Sequence, residues 1–341
     1  MNQDAVSRAR GALFGLAIGD ALGMPTQLMS REFVRQRYGI LDGFHDGPAE
    51  NPISRLMAAG RVTDDTDQTV ILGRLMVAGG GIMDPFDFAR DLLAWEQRMI
   101  AAGSLDLLGP STRRALASLS EGASLDVAGA TGATNGAAMR VAPVGIAFNC
   151  SCLPRLVDAV AQVGFVTHNT TIANAGAAAV AAAVSVGVGG GDLRAALRRS
   201  VEAARLGGQR GHFVAGADVA ARSEWALGLV EDRAADDGLD LIYRLVGTGV
   251  ATQEAVPAAL AVCTLAAEDP WLACRLAASL GGDCDTIAAI VGAVMGACHG
   301  IEGFPESAIA QLRAANPELV LERLADDLLE LRNAMSPSGA S

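Results

Sequence analysis

Residues 11–23 read GALFGLAIGDALG, placing Gly11, Gly15, Gly19 and Gly23 at every fourth position. In a helix that spacing lines the glycines along one face and strips the face of side chains. The device recurs at Gly292, Gly296 and Gly300. Each such glycine costs about 1 kcal/mol against alanine in a helix interior. Two helices carrying it predict a tight central contact made by backbones rather than by bulky side chains. The composition agrees: 51% of the chain is apolar, much of it alanine, and only 4% is aromatic.

Helical period runs outward from this pair. Apolar residues recur at helical spacing over Ala5–Leu22, Asp67–Ala78, Pro85–Ala101, Ser111–Ser118, Leu153–Gly164, Thr171–Val188 and Leu193–Leu206. They do so again over Ala217–Leu229, Gly238–Val246, Ala255–Ala267, Pro270–Ser279, Thr286–Cys298, Pro305–Ala314 and Pro317–Asn333. No run alternates polar and β-branched residues as a strand does. The class is therefore all-α, read as one domain over residues 1–333 with a frayed tail over 334–341. Gly39–Arg61, rich in Gly, Pro, Asp and Asn, reads as a long surface loop. Thr171–Gly191 is about long enough to span a bilayer, but it lacks Leu and Phe and contains Asn174 and Ser185, which predicts a buried core helix.

The net charge of −12 would repel a phosphate backbone, and no basic run interleaved with aromatics offsets it, so nucleic acid is excluded as a partner. A membrane is excluded on the same composition. The six cysteines form no CxxC pair and have no histidine at zinc spacing, and the chain opens without a secretory pattern. Reduced thiols and a cytoplasmic location are expected. Nothing in the sequence demands an oligomer.

Four segments carry chemistry. Thr63-Asp64-Asp65-Thr66, within VTDDTDQT, sits at a loop-to-helix junction. Its adjacent carboxylates and hydroxyls offer only oxygen donors, which select hard cations such as Mg²⁺, Mn²⁺ or Ca²⁺, although a plain helix cap uses the same residue types. Gly281-Gly282-Asp283-Cys284-Asp285-Thr286 repeats the pattern before the helix IAAIVGAVMGA. Capping needs one carboxylate, not two. Together the segments read as halves of a dinuclear site, whose metals would lie roughly 3.5–4 Å apart. Thr134–Pro143, TNGAAMRVAP, is a Gly- and Asn-rich turn opening a helix and presents free N–H groups suited to an anion. Arg140 in it reads equally as a phosphate contact or a buried structural residue. His168, in VTHN, precedes an Ala-rich helix, where a ligand contact and simple burial both fit.

In this order, with GALFGLAIGDALGMP in front, the motifs resemble the ADP-ribosylglycohydrolase family over about residues 8 to 300, most of the chain. The resemblance implies a compact orthogonal multi-helix bundle around two divalent cations, Mg²⁺ or Mn²⁺. It makes Thr63, Asp64 and Asp65 ligands on one side, and Asp283, Asp285 and Thr286 ligands on the other. Asp65 and Asp283 would assist catalysis as well. Asn135, Gly136 and His168 would line the diphosphate and distal ribose pocket. The implied reaction is hydrolysis of the N-glycosidic bond between ADP-ribose and an acceptor, such as protein arginine or a small adduct. Departure of the group from ribose C1 develops oxocarbenium character that nearby carboxylates stabilise.

The sequence departs from the family pattern at several positions. Gln27 stands where many relatives carry glutamate, and an amide is no base and no anionic ligand. Cys284 stands where threonine is common. The nearest counterpart of a catalytic aspartate in a D-x-G segment is Asp106 in SLDLLGPST, one residue further from its glycine; Gly109, Pro110 and Ser111 make a further phosphate-facing loop. These departures bear on substrate more than on fold. They keep a nucleoside-type hydrolase of small ribosides, and a non-catalytic ADP-ribose-binding or crystallin-like protein, as alternatives.

Overall fold

The structure, a computed structural model, describes residues 2–335. Its first half comprises α1 (Gln3–Gly23), α2 (Arg31–Arg37), α3 (Asp64–Ala78), α4 (Pro85–Ala101), α5 (Pro110–Ser120), α6 (Leu125–Ala128), α7 (Gly136–Met139), α8 (Ala142–Ala147) and α9 (Leu153–His168). The second comprises α10 (Thr171–Val188), α11 (Leu193–Gly207), α12 (Val219–Val230), α13 (Ala235–Leu241), α14 (Thr252–Leu265), α15 (Pro270–Ala278), α16 (Cys284–His299), α17 (Glu306–Ala315) and α18 (Leu321–Met335). Among the described residues there is no strand, only the isolated bridges Met29–Gly282, Thr134–Ala251 and Thr170–His212. The all-α class stands.

The helix starts follow local chemistry. Asp84 caps α4 by accepting from the N–H groups of Phe86 and Asp87, with Pro85 at the first turn. Asp269 followed by Pro270 does the same for α15. Four helices escape the periodicity. In α2 only Arg31 and Val34 are buried, too few to show a pattern, and α6, α7 and α8 span one turn or little more. Helix α13 gives way to a π-helical turn at Ile242–Val246 that ends at Gly247, φ +91°. The expected tail also needs correction: Ala334 and Met335 complete α18, and positions 336–341 lie outside the described residues.

The glycine register is explained by the α1–α16 contact. A Cβ on Gly15 would lie 2.1 Å from the Gly292 carbonyl oxygen, and one on Gly292 would lie 1.8 Å from that of Gly15. Gly11 faces Gly296 at 2.3 Å, Gly19 faces Ala288 at 1.9 Å, and Gly23 faces the Asp285 Cα at 2.3 Å. The helices therefore run antiparallel in backbone contact over the full length of the motif. Gly300 does not extend the series; at φ +83° it ends α16.

Helix α10 is long and apolar enough to cross a membrane, yet 89% of it is buried inside the fold. It is the core helix the composition predicted. The Gly39–Arg61 loop is less superficial than its composition suggests. Asn51 and Ser54 are fully buried within it, and the Asn51 side chain donates to the Gln27 carbonyl at 2.8 Å.

Candidate active site

The α1–α16 contact sets the site. Gly23, at the end of α1, abuts Asp285 at the start of α16, so the second acidic turn is held against the C-terminal end of α1. One turn earlier α1 projects Asp20, fully buried, toward the first acidic turn. Its carboxylate accepts from the N–H groups of Thr63 at 3.0 Å and Thr66 at 3.1 Å, and from the Thr66 hydroxyl. Those are N–H groups at the start of α3, which a helix leaves without internal partners. Asp20 thus anchors α3 to α1, and both acidic helix starts meet at one place.

The result is a cavity of about 180 Å³ lined by Asp64, Asp65, Asp106, Asp283, Asp285 and Thr286, with Gln27, Thr112, Thr134, Asn135 and Gly136 beside them. Leu28, Ile53, Leu107, Met139 and Val250 provide the apolar part of the wall. No lysine, arginine or histidine lines it. Thr63 is buried behind Asp65: its hydroxyl accepts from the Asp65 N–H at 3.3 Å and lies 3.2 Å from Asp65 Oδ2. The Thr286 hydroxyl reaches the same Oδ2 at 3.3 Å, joining the two acidic turns directly. Asp64 Oδ2 accepts from Gln68 Nε2 at 2.6 Å, and Asp283 Oδ2 accepts from Asn135 Nδ2 at 2.5 Å. Asp106 Oδ2 accepts the Asp64 N–H at 3.1 Å.

Burial pushes the carboxyls of Asp64, Asp65 and Asp285 well above the usual carboxylate range, and the neighbouring negative charges push the same way. Asp106 is raised to about 8 by burial, then by Asp20 and Asp67. Asp20 reaches about 6, burial outweighing its hydrogen bonds to Thr66 and Thr63. Asp283 is raised by burial against hydrogen bonds from Asn135 and Thr286. So many neighbouring carboxylates cannot all ionise without positive charge between them.

The donor set fits a hard cation. Asp65 Oδ1 and Asp285 Oδ1 are buried without a hydrogen-bond partner, which is costly unless something fills the role. All available donors are oxygens. Among the described residues no group of three or more acidic, histidine or cysteine side chains is arranged so that it could hold a metal ion as it stands. Two of the carboxylates are turned toward the amides of Gln68 and Asn135 instead.

The structure places some predicted residues elsewhere. His168 is fully buried outside the lining. Its Nε2 meets the Thr134 hydroxyl at 3.0 Å and its Nδ1 the Thr167 hydroxyl at 2.8 Å. Burial, then Arg140 and Arg114, hold its pKa well below the usual value, so the ring is neutral. It props the Thr134–Gly136 turn from behind: a Cβ on Gly136 would lie 2.9 Å from His168 Cε1. Ser111 is buried, and its neighbour Thr112 lines the cavity instead. Arg140 is buried too; its guanidinium donates to Gln68 Oε1 and to Thr167, and stacks 5.0 Å from the Phe88 ring centroid. It reaches Asp64 through the Gln68 amide and supports that carboxylate rather than a ligand.

Sequence reasoning missed Asp20 as a site residue, and the signal was a lone charge interrupting the apolar run from Gly11 to Leu22. Gln68 gave no such signal, and of the two readings of Arg140 the structure has the buried structural one; their amide–guanidinium pair forms only when α3 and the α7 turn meet.

The architecture defines a class: an all-helical protein whose two acidic helix starts converge on a small oxygen-lined cavity. Residues 1–337 match the ADP-ribosylglycohydrolase family, and the chain belongs to it: a family of hydrolytic enzymes acting on glycosidic bonds of ADP-ribose. It is 35% identical to the uncharacterized protein YegU of Escherichia coli K12, over 95% of this chain and 97% of that one. It is 27% identical to the ADP-ribosyl-[dinitrogen reductase] glycohydrolase of Rhodospirillum rubrum, over 95% of this chain and 96% of the relative. It is 28% identical to the ADP-ribosylarginine hydrolase Tri1 of Pseudomonas putida, over 96% of this chain and 79% of the relative. A solved structure described as an ADP-ribosylglycohydrolase-related protein complex superposes with a TM-score of 0.68 at 26% identity, covering 97% of this chain and 99% of that one.

Proposed function

We propose that this enzyme is a divalent-cation-dependent hydrolase, using Mg²⁺ or Mn²⁺, that cleaves the N-glycosidic bond between ADP-ribose and an acceptor. The observation that carries this reading is the convergence of both acidic turns, joined through Thr286 and Asp65, with one oxygen each of Asp65 and Asp285 buried and unpartnered. Asp64, Asp65, Asp283, Asp285 and Thr286 would hold the cations, while Thr63, expected as a ligand, lies behind Asp65 and outside the cavity lining. Bound there, the cations supply positive charge and orientation to the ribose hydroxyls.

The chain's own residues do the rest. Asp65 and Asp283 place negative charge beside C1 as it gains oxocarbenium character. Asp106, anchored through the Asp64 N–H, takes a proton from the attacking water. The water oxygen bonds to C1 as the C1–N bond breaks, and the proton that Asp106 took from the water passes to the departing nitrogen. A carboxyl raised to about 8 suits proton exchange near neutrality. Asp106→Asn keeps an oxygen for the Asp64 N–H but cannot hold the proton. It should lower kcat by about 10²–10⁴-fold with ADP-ribose affinity nearly unchanged; a loss confined to KM would count against the role.

The acceptor is read as a cationic group such as the guanidinium of arginine, because the wall is acidic and holds no competing cationic side chain. One observation favours a second reading, hydrolysis of small ribosides. The cavity of about 180 Å³ is below the usual range for a ligand pocket, roughly 300–1,000 Å³. Titrating ADP-ribose with and without Mg²⁺, then assaying ADP-ribosyl-arginine against a simple nucleoside, decides the matter. Metal-dependent binding and turnover of the first support the proposal; turnover of the nucleoside alone supports the second reading.

Metal and pH are linked through the raised carboxyls. Their folded pKa values lie above the unfolded range, so the metal-free fold is favoured when they are protonated and loses that stability as pH rises through the raised values. A cation replaces the protons. Saturating Mg²⁺ should therefore raise the thermal midpoint more at pH 8 than at pH 5.5. Ligand at a hundred times its Kd contributes about 2.7 kcal/mol at the favourable pH. A shift of equal size at both pH values, read by differential scanning fluorimetry, would contradict the assignment.

A further inference from the structure

We propose that Gln27 is a positioning residue whose side-chain amide donates a hydrogen bond to a hydroxyl oxygen of the ribose held among the carboxylates, an inference that rests on the ribosyl reading above. Gln27 is 4% exposed, lines the cavity, and its Nε2 has no hydrogen-bond partner. A buried donor without an acceptor is unfavourable, and folded proteins keep few of them. This one is not loosely placed. The Gln27 N–H donates to the Gly23 carbonyl at 3.0 Å, and its carbonyl accepts from Asn51 at 2.8 Å. The next residue, Leu28, donates to the Gly282 carbonyl at 2.6 Å while held at φ +59°. That is a left-handed conformation that residues other than glycine rarely adopt. The backbone around Gln27 is thus clamped between the end of α1 and the second acidic turn, in a strained form, at the cavity wall.

The chemistry of the wall shows what the amide is for. Five of the nine other polar side chains lining the cavity are carboxylates, which accept hydrogen bonds. A ribose hydroxyl that donates to one of them still has lone pairs to satisfy, and Gln27 supplies an N–H. A carboxylate at this position would instead bring a further negative charge to the cluster. Gln27 is therefore complementary to a neutral, hydroxyl-bearing ligand in an otherwise acidic cavity.

The test compares the full-length protein with Gln27→Met, similar in shape and without a donor. Mg²⁺-loaded protein is titrated with ADP-ribose by calorimetry, and kcat and KM are measured on ADP-ribosyl-arginine. The variant is expected to bind ADP-ribose about tenfold more weakly, the scale of one hydrogen bond. KM should rise in parallel, with kcat within about threefold of the parent, a change of about 0.65 kcal/mol at most. The ligand-free variant should melt at the same temperature or higher, because the unpartnered donor is gone. Wild-type affinity in the variant would overturn the role of Gln27 alone. So would a lowered melting temperature with kcat and KM falling together, which marks a structural residue. Failure of the wild type to bind ADP-ribose in Mg²⁺ would overturn the ribosyl reading and this inference with it.

Discussion

Asp64→Ala and Asp285→Ala, made singly, are each expected to reduce Mg²⁺-dependent release of ADP-ribose by at least about a thousandfold in kcat/KM, since each removes a charge the cations need to be held and oriented. The two residues lie on different helix starts, and both line the cavity. Were the site two independent helix starts, each change would remove only a first-turn carboxylate, worth roughly 0.3–1 kcal/mol, and would leave metal affinity alone. In a shared centre the double variant is hardly worse than either single one, because residues acting as a unit are non-additive. Isothermal titration of Mg²⁺ into the three variants separates the cases. Metal binding that survives in both single variants would end the dinuclear reading. Removing a carboxylate from a crowded acidic cluster also relieves repulsion, so the metal-free variants should melt no lower than the parent at pH 8. A fall in activity with a gain in metal-free stability is a pattern that misfolding does not produce.

Gly19→Ala should be strongly damaging for a single-methyl change. Its Cβ would lie 1.9 Å from the Ala288 carbonyl oxygen, inside backbone that cannot turn aside as a side chain can. Alanine is worth about 1 kcal/mol over glycine in a helix, but overpacking of this severity exceeds the usual cost of about 1–3 kcal/mol. Against a typical stability of about 5–15 kcal/mol the variant should be poorly soluble or melt many degrees lower. Gly228→Ala provides the opposite sign. Gly228 lies inside α12 with nothing within 4 Å of an added Cβ. There the helix-propensity gain of about 0.4–1 kcal/mol is realised, and the melting temperature should rise. Equal effects at the two positions would mean that the α1–α16 contact is not what holds the fold together. Because Gly23 and Asp285 belong to that contact, a milder widening of it should also weaken metal binding before it unfolds the protein.

The central helices and both acidic turns were legible in the sequence because they are local patterns. A glycine every fourth residue, an aspartate pair after a threonine, and two glycines before Asp283 each carry their meaning within a few residues. The register of α1 on α16 is nearly local as well, since matched glycine spacings leave few ways for the backbones to touch. The class of the protein and its metal-ligand candidates follow from that level alone.

Long-range pairing decided the rest. Asp20 carries its meaning only once α1 has been laid across the start of α3, and Gln68 and Arg140 only once Asp64 needs a neighbour. From its neighbours in sequence His168 fitted a ligand contact and simple burial alike, and tertiary packing put it behind the Thr134–Gly136 turn, where both ring nitrogens are already engaged. Ser111 and Thr112 are adjacent in the chain, but the orientation of α5 admits only the second to the cavity. A sequence specifies which side chains can donate, accept or ionise. Which of them face the same few ångströms depends on how distant helices pack, and in this chain that packing is set by backbone contact between two glycine faces.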